Sequence, residues 1–307
     1  MPTPSVTDRI NRLKKEKNAV ILAHYYTRPE VQDLADYVGD SLGLSQEAGK
    51  TDAEIIVFCG VHFMAETAAI ISPRKKVLIP VQHAGCSLAE SVNGYELKQW
   101  KEEHPEGIVV SYVNTTAEVK AYTDICCTSA NALRVVESLP PNSRILFVPD
   151  KNLGAWIRKR TGREMELWAG DCCVHQRITA EMILEKAAEY PEADILIHPE
   201  ANCSADDRIH SLPQAYFYST AGMIAHAKKS PKKQFVIATE MDTLHQLQKD
   251  SPAKEFIPVG DRIICGQMKK ITPENLLEAL EKEQYKVTVP AEIREKARLP
   301  IQRMLEL

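Results

Sequence analysis

Short apolar runs recur along the chain, and between them apolar positions fall at helical spacing. Ala19-Val20-Ile21-Leu22-Ala23 is apolar throughout, the pattern of a parallel strand covered on both faces. It leads into His24-Tyr25-Tyr26, after which Val31, Leu34, Ala35, Val38 and Leu42 predict a helix. A second strand is predicted at 54–60, a helix at 63–71 ended by Ser72-Pro73, a third strand at 76–80 running towards Cys86, and a helix at 96–103. The cycle restarts with strands at 108–114, 124–127, 144–149 and 164–168, the last leading to Cys172. It restarts again at 194–200, 215–218, 234–239 and 255–264, the last leading to Cys265. Thr272-Pro273-Glu274 then opens a helix, with Thr as N-cap and Pro at the first helical position. The pattern therefore predicts an α/β protein of three βαβ-type repeats, each roughly 90 residues long. Their expected bounds are 1–104 with an N-terminal helix, 105–190, and 191–307 with C-terminal helices.

Composition narrows the partners. A net charge of −4 and 44 % hydrophobic residues describe an ordinary soluble globular chain and give no support for nucleic-acid binding. Lys14-Lys15-Glu16-Lys17 and Lys228-Lys229-Ser230-Pro231-Lys232-Lys233 read as solvated helix or loop ends. Met1-Pro2-Thr3-Pro4-Ser5 lacks the apolar core of a signal peptide, and no run is long enough to span a bilayer. Eight cysteines without a secretory signal imply a reducing cytoplasm, where clustered thiols serve as metal ligands or catalytic groups rather than disulfides.

Three of those thiols share a setting. Cys86, Cys172 and Cys265 lie 86 and 93 residues apart, each after the last strand of its repeat, where open α/β sheets place their chemistry. After each first strand come His24-Tyr25-Tyr26, Tyr112-Val113-Asn114 and His198-Pro199-Glu200. After each second strand the expected counterparts are Gly60-Val61-His62, Thr128-Ser129-Ala130 and Ser219-Thr220-Ala221. Packed about a pseudo-threefold axis, these loops and the three thiols meet at one point, a setting suited to a small polyanion beside a metal centre. Three thiolates suit an iron–sulfur cluster with one iron left open, or zinc with water as its fourth ligand. Cys59, Cys126 and Cys127 lie inside apolar strands and read as core, whereas Cys173 and Cys203 are open to either reading. His226 and His245 read as surface helix positions, and Ser219-Thr220 serves equally well as a helix cap. No glycine-rich dinucleotide fingerprint or P-loop is present.

The chain resembles the quinolinate synthase family from about Lys14 to Leu307. The likeness is carried by Leu22-Ala23-His24-Tyr25-Tyr26, Gly39-Asp40-Ser41-Leu42, Phe63-Met64-Ala65-Glu66, Tyr112-Val113-Asn114 and Cys127-Thr128-Ser129-Ala130-Asn131-Ala132. It continues through Pro149-Asp150-Lys151-Asn152-Leu153-Gly154, Val174-His175-Gln176, His198-Pro199-Glu200, Ser219-Thr220 and Cys265 to Met268-Lys269-Lys270. The resemblance implies three similar α/β/α, Rossmann-like domains with short parallel sheets around a pseudo-threefold axis. It also implies a 4Fe–4S cluster on one cysteine per domain, here Cys86, Cys172 and Cys265. Two departures are visible. Tyr25 stands where many members have Asn and is given no catalytic role. Cys172 is followed by Cys173 where many members have Pro, and alignment on Val174-His175-Gln176 selects Cys172 as the ligand.

The activity implied is condensation of iminoaspartate with dihydroxyacetone phosphate, with loss of phosphate and two waters, to form quinolinate for NAD. On this reading Glu200 is the first candidate for general base, and Tyr26, Tyr112 and His198 are the other proton carriers. His24, Ser41, Asn114, Ser129, Ser219 and Thr220 are the expected substrate ligands, and His175 is assigned to the substrate side as well. An aspartate-oxidising enzyme is a natural transient supplier of the unstable imine, and neither nucleic acid nor membrane is expected as a partner. Two rivals use the same thiols: a zinc-dependent aldolase or hydrolase acting on a small anion, and a non-enzymatic Fe–S redox sensor.

Overall fold

A computed structural model describes residues 4–307. Twelve strands form three four-stranded sheets. The first holds β1 (Ala19–His24), β2 (Tyr37–Gly39), β3 (Ile55–Cys59) and β4 (Lys76–Leu78). The second holds β5 (Ile108–Tyr112), β6 (Ile125–Cys127), β7 (Ile145–Val148) and β8 (Glu166–Leu167). The third holds β9 (Asp194–Ile197), β10 (Ala215–Phe217), β11 (Gln234–Ala238) and β12 (Glu255–Pro258). All pairings are parallel, and each sheet has the order second, first, third, fourth. In each the chain leaves the first strand to one side and returns on the other, which opens a crevice beyond the ends of strands one and three. The central strands β3 and β7 are buried at every position, which is why their sequences are unbroken apolar runs rather than alternating ones.

One predicted helix is absent. The segment from Val31 to Leu42 is split into a short helix Pro29–Gln32, the strand β2, and a helix Ser41–Lys50. Asp36 causes the break. Its carboxylate accepts the Ile21 N–H at 2.8 Å and its own N–H donates to the Ile21 carbonyl at 2.9 Å, which draws the chain onto the edge of β1. Asp124 treats Val109 in the same way, at 2.7 and 3.0 Å, just before β6. Tertiary pairing thus overrides a helical spacing of apolar residues. The loop correspondence changes with it. Asp40-Ser41, not Gly60-Val61-His62, is the counterpart of Thr128-Ser129 and Ser219-Thr220, while Gly60 follows a third strand and matches Pro149 and Thr239.

Thr272 caps the helix Pro273–Lys282 as its sequence predicts, through a capping box with Asn275. This helix packs on the N-terminal helix Val6–Glu16, and the last helix, Ala291–Glu306, packs on β6 and on helices Ala117–Lys120 and His62–Ile71. The chain thus returns from the third sheet to brace the first two, and one apolar core runs from Leu22 through Val110 and Phe147 to Ile301 and Met304. The Asn131 amide fixes the last helix by donating to the Met304 carbonyl at 2.9 Å. Among the described residues no helix is long and apolar enough to cross a membrane.

The brace can be measured. Ile301 is 1 % exposed, so Ile301→Ala should lower the chemical-denaturation midpoint by the equivalent of about 2–5 kcal/mol. Leu299, 51 % exposed on the same helix, should shift it by no more than about 0.5 kcal/mol on change to Ala. Equal effects would show that the helix is not packed as described.

Candidate active site

The strand ends of the three sheets converge on one cavity. Of the residues singled out from the sequence, all but Ser219 line it: His24, Tyr26 and Ser41 from the first repeat; Tyr112, Asn114, Ser129 and His175 from the second; His198, Glu200 and Thr220 from the third; and Cys86, Cys172 and Cys265. Ser219 faces an adjoining outer cleft, and its hydroxyl accepts the Gly222 N–H at 3.2 Å as the cap of helix Thr220–Lys229.

Glu200 is the hub. It is buried, it accepts a hydrogen bond from the Tyr112 hydroxyl at Oε1, and its Oε2 lies 3.0 Å from His175 Nδ1. Burial alone would raise its pKa. The adjacent His175 and His198, together with hydrogen bonds from His175 and Tyr112, outweigh burial and hold it well below the usual carboxylate range. His175 Nε2 meets the Thr239 hydroxyl at 2.8 Å, and the Tyr26 hydroxyl reaches both Thr220 and Thr239, at 3.0 and 2.9 Å. Burial pushes the phenols of Tyr26 and Tyr112 well above their ordinary value, with Glu200 adding to the shift, so both stay protonated.

Two histidines repeat one local motif. His24 Nδ1 accepts the N–H of Tyr26 at 3.2 Å, and His198 Nδ1 accepts the N–H of Glu200 at 3.3 Å. Each ring is thereby held as the tautomer with its proton on Nε2. Burial pulls both down to about 3, so each is a neutral N–H donor at physiological pH.

The thiols divide by setting. Burial pushes Cys86 up to about 12, Cys172 well above its ordinary value, and Cys265 upward. Cys172 Sγ lies 3.3 Å from His175 Nδ1, whereas Cys173 is exposed and its N–H donates to the Ser87 hydroxyl at 3.3 Å. Cys172, His175 and Glu200 place potential ligand atoms within 4.8 Å of one another and could hold a metal ion; among the described residues no other such group occurs. Cys59, Cys126 and Cys127 are fully buried core as expected, and Cys203 joins the core of the third repeat. His226 is not a free surface position, since its Nε2 pairs with Asp194 at 2.8 Å.

Several supports were missed because they act on backbone. The Cys172 loop passes so close to its neighbours that a Cβ at Gly170 would strike the Ser91 hydroxyl and the Pro149 carbonyl. Asp150, fully buried, caps helix Lys151–Thr161 and faces the Cys172 N–H; burial and Glu200 raise its pKa well above normal. Glu240 accepts the Cys265 N–H at 3.1 Å and pairs with Lys269 at 2.6 Å, and Lys269 also donates to the Tyr26 carbonyl at 2.6 Å. Thr239 and Glu240 directly follow β11, so a search of third-strand ends as well as first and second would have found them.

The chain is similar to known proteins along nearly its whole length. A family profile described as "Quinolinate synthetase A protein" matches residues 8–306. A quinolinate synthase of Pyrobaculum aerophilum is 50 % identical over 303 residues, covering 97 % of this chain and 98 % of that protein. One from Thermus thermophilus is 49 % identical over 301 residues, covering 98 % and 97 %. One from Synechocystis is 46 % identical over 303 residues, covering 97 % and 94 %.

Thiol chemistry checks the burial pattern. In the folded protein a maleimide should modify Cys173 while Cys59, Cys126 and Cys127 stay unmodified, as read by peptide mass mapping. Modification of Cys126 or Cys127 ahead of Cys173 would contradict the placement of that loop.

Proposed function

The chain belongs to the quinolinate synthetase A family, enzymes of NAD biosynthesis, and on that premise we propose that it condenses iminoaspartate with dihydroxyacetone phosphate to give quinolinate, phosphate and two waters. The observation that carries the reading is the convergence of Glu200, two protonated phenols, two neutral imidazole donors and three thiols on one buried cavity. A redox sensor would have no use for such a set of polar strand ends.

The donor set suits a 4Fe–4S cluster held by Cys86, Cys172 and Cys265. Burial opposes ionisation of all three thiols, so they become thiolates only beside a strong cation. Ligand atoms around a single zinc ion lie within about 4 Å of one another. Cys86, Cys172 and Cys265 do not together form a group with ligand atoms within 4.8 Å of one another, which favours a larger centre. The group that is so gathered, Cys172, His175 and Glu200, is the basis of a zinc alternative, but it leaves Cys86 and Cys265 without a role. Bound there, the cluster would supply a Lewis-acidic iron with an open position.

The side chains supply the rest. Glu200, firmly ionised, is a weak base at rest, so it takes protons only from carbon acidified by an adjacent carbonyl or imine, which both substrates offer. Tyr112 and Tyr26, kept protonated by burial, donate protons to departing hydroxyl groups. His24 and His198 offer Nε2–H groups to carboxylate or phosphate oxygens, and Ser41, Asn114, Ser129 and Thr220 add neutral donors. His175 ties Glu200 to the Thr239–Tyr26 hydroxyl chain, a path along which a proton can move. Because the imine is prone to hydrolysis, an aspartate-oxidising enzyme is the natural supplier.

Two sets of variants test this reading. Glu200→Gln should cut turnover by roughly 10²-fold or more with the visible absorption intact; near-normal turnover would make Glu200 structural. Purified without air, the protein should be brown and contain iron, and Cys172→Ala should be colourless. Cys173→Ala should keep its colour and, at an exposed position, shift stability by no more than about 0.5 kcal/mol. A brown Cys172→Ala beside a colourless Cys173→Ala would reverse the assignment, and stoichiometric zinc in a colourless wild type would favour the alternative.

A further inference from the structure

Lys120 is the largest side chain in the protein with no exposure to solvent. It ends the short helix Ala117–Lys120, behind the cavity wall. Its ammonium donates to two backbone carbonyls, that of Val113 at 2.8 Å and that of Thr115, rather than to a carboxylate. The Phe63 ring centre lies 5.5 Å from Nζ. Glu66, Cys126 and Cys86 are the titratable groups that face it. Burial pulls its pKa down to about 8, against the opposing pull of those neighbours, so it remains a cation at neutral pH. Burying an ammonium without an ion-pair partner is costly, and stability alone would be as well served by an apolar side chain.

Its two acceptors flank Asn114. The Thr115 N–H donates to the Val113 carbonyl at 2.8 Å, a tight turn with Asn114 at its apex. The Thr115 hydroxyl reaches the Tyr112 carbonyl at 3.1 Å, so the turn is continuous with the residue that donates to Glu200. At the apex the Asn114 amide lines the cavity, and its Oδ1 is buried with no hydrogen-bond partner. A buried acceptor left open this way calls for an N–H or O–H on the ligand.

We propose that Lys120 is a positioning residue that acts through Asn114: by clamping the carbonyls on both sides of the turn, it holds the amide where it reads the imino or hydroxyl group beside a ligand carboxylate. The inference rests on the reading of the cavity as a site for a small dicarboxylate, and it adds the means by which that site distinguishes acids bearing such a group from acids that lack it.

The test uses protein purified without air, with its metal centre in place, and titration calorimetry with L-malate, which carries the hydroxyl, and succinate, which does not. The wild type should prefer malate by about 10-fold or more, the expected effect of one satisfied hydrogen bond in a site built for it. Lys120→Met, close in shape, and Asn114→Ala should each reduce the preference to within about 2-fold. The double variant should bind malate no more weakly than Asn114→Ala alone, because residues acting as one unit are not additive. If Lys120→Met does not fold, Lys120→Leu, which likewise donates to neither carbonyl, takes its place and is held to the same outcome. A variant at Lys120 that keeps the preference, losses that multiply in the double variant, or equal binding of both acids by the wild type would overturn the inference alone. A wild type that binds neither acid would overturn the dicarboxylate reading as well.

Discussion

A parallel sheet sends the C-terminal ends of all its strands to one edge, and in this chain three such edges are turned towards a single point. Everything at the site depends on that constraint. Because each sheet is switched between its first and third strands, each has a crevice there, and the chain fills it three times with chemistry-bearing residues. Glu200, Tyr26 and Asn114 come from first-strand ends, Ser41, Ser129 and Thr220 from second-strand ends, and Thr239 and Asp150 from third-strand ends. The cysteines follow the fourth strands.

Convergence of this kind is electrostatically demanding. Three thiols, Glu200 and Asp150 are drawn into one buried volume, and they cannot all ionise without compensation. The structure eases part of the conflict by raising the pKa of Asp150 through burial and the nearby Glu200, while Tyr112 and His175 support the Glu200 carboxylate. The thiols are left with no cation of their own, which is the physical basis for assigning them a metal centre. Lys269 is neutralised by Glu240 and Asp242, so its charge goes to joining the Cys265 loop to Tyr26.

Much of this was legible in the sequence because buried parallel strands write themselves as apolar runs, and polar residues directly after such runs mark the strand ends. The fourfold strand count of the second and third repeats, the cysteine positions and the loops holding His24-Tyr25-Tyr26, Tyr112-Val113-Asn114 and His198-Pro199-Glu200 follow from those two signals, whereas Ser41 and His175 came from the family resemblance alone. β2 was not legible. At three residues, with Val31, Leu34, Ala35 and Val38 around it, it imitates a helix, and only the matching placement of Asp36 and Asp124 before their edge strands reveals it. Asp150, Glu240 and Lys120 were missed for another reason: they bind main chain, and no side-chain motif records which carbonyl or N–H will lie opposite.

The central claim is that the three strand-end sets form one site for building quinolinate. The most direct test is an assay without air, supplying oxaloacetate and ammonia as the source of the imine together with dihydroxyacetone phosphate. Quinolinate should accumulate with release of one phosphate per ring, and formation should fall on aeration in step with the visible absorption. Full activity in an air-exposed, iron-free sample, or no quinolinate from a brown and correctly folded one, would contradict the account.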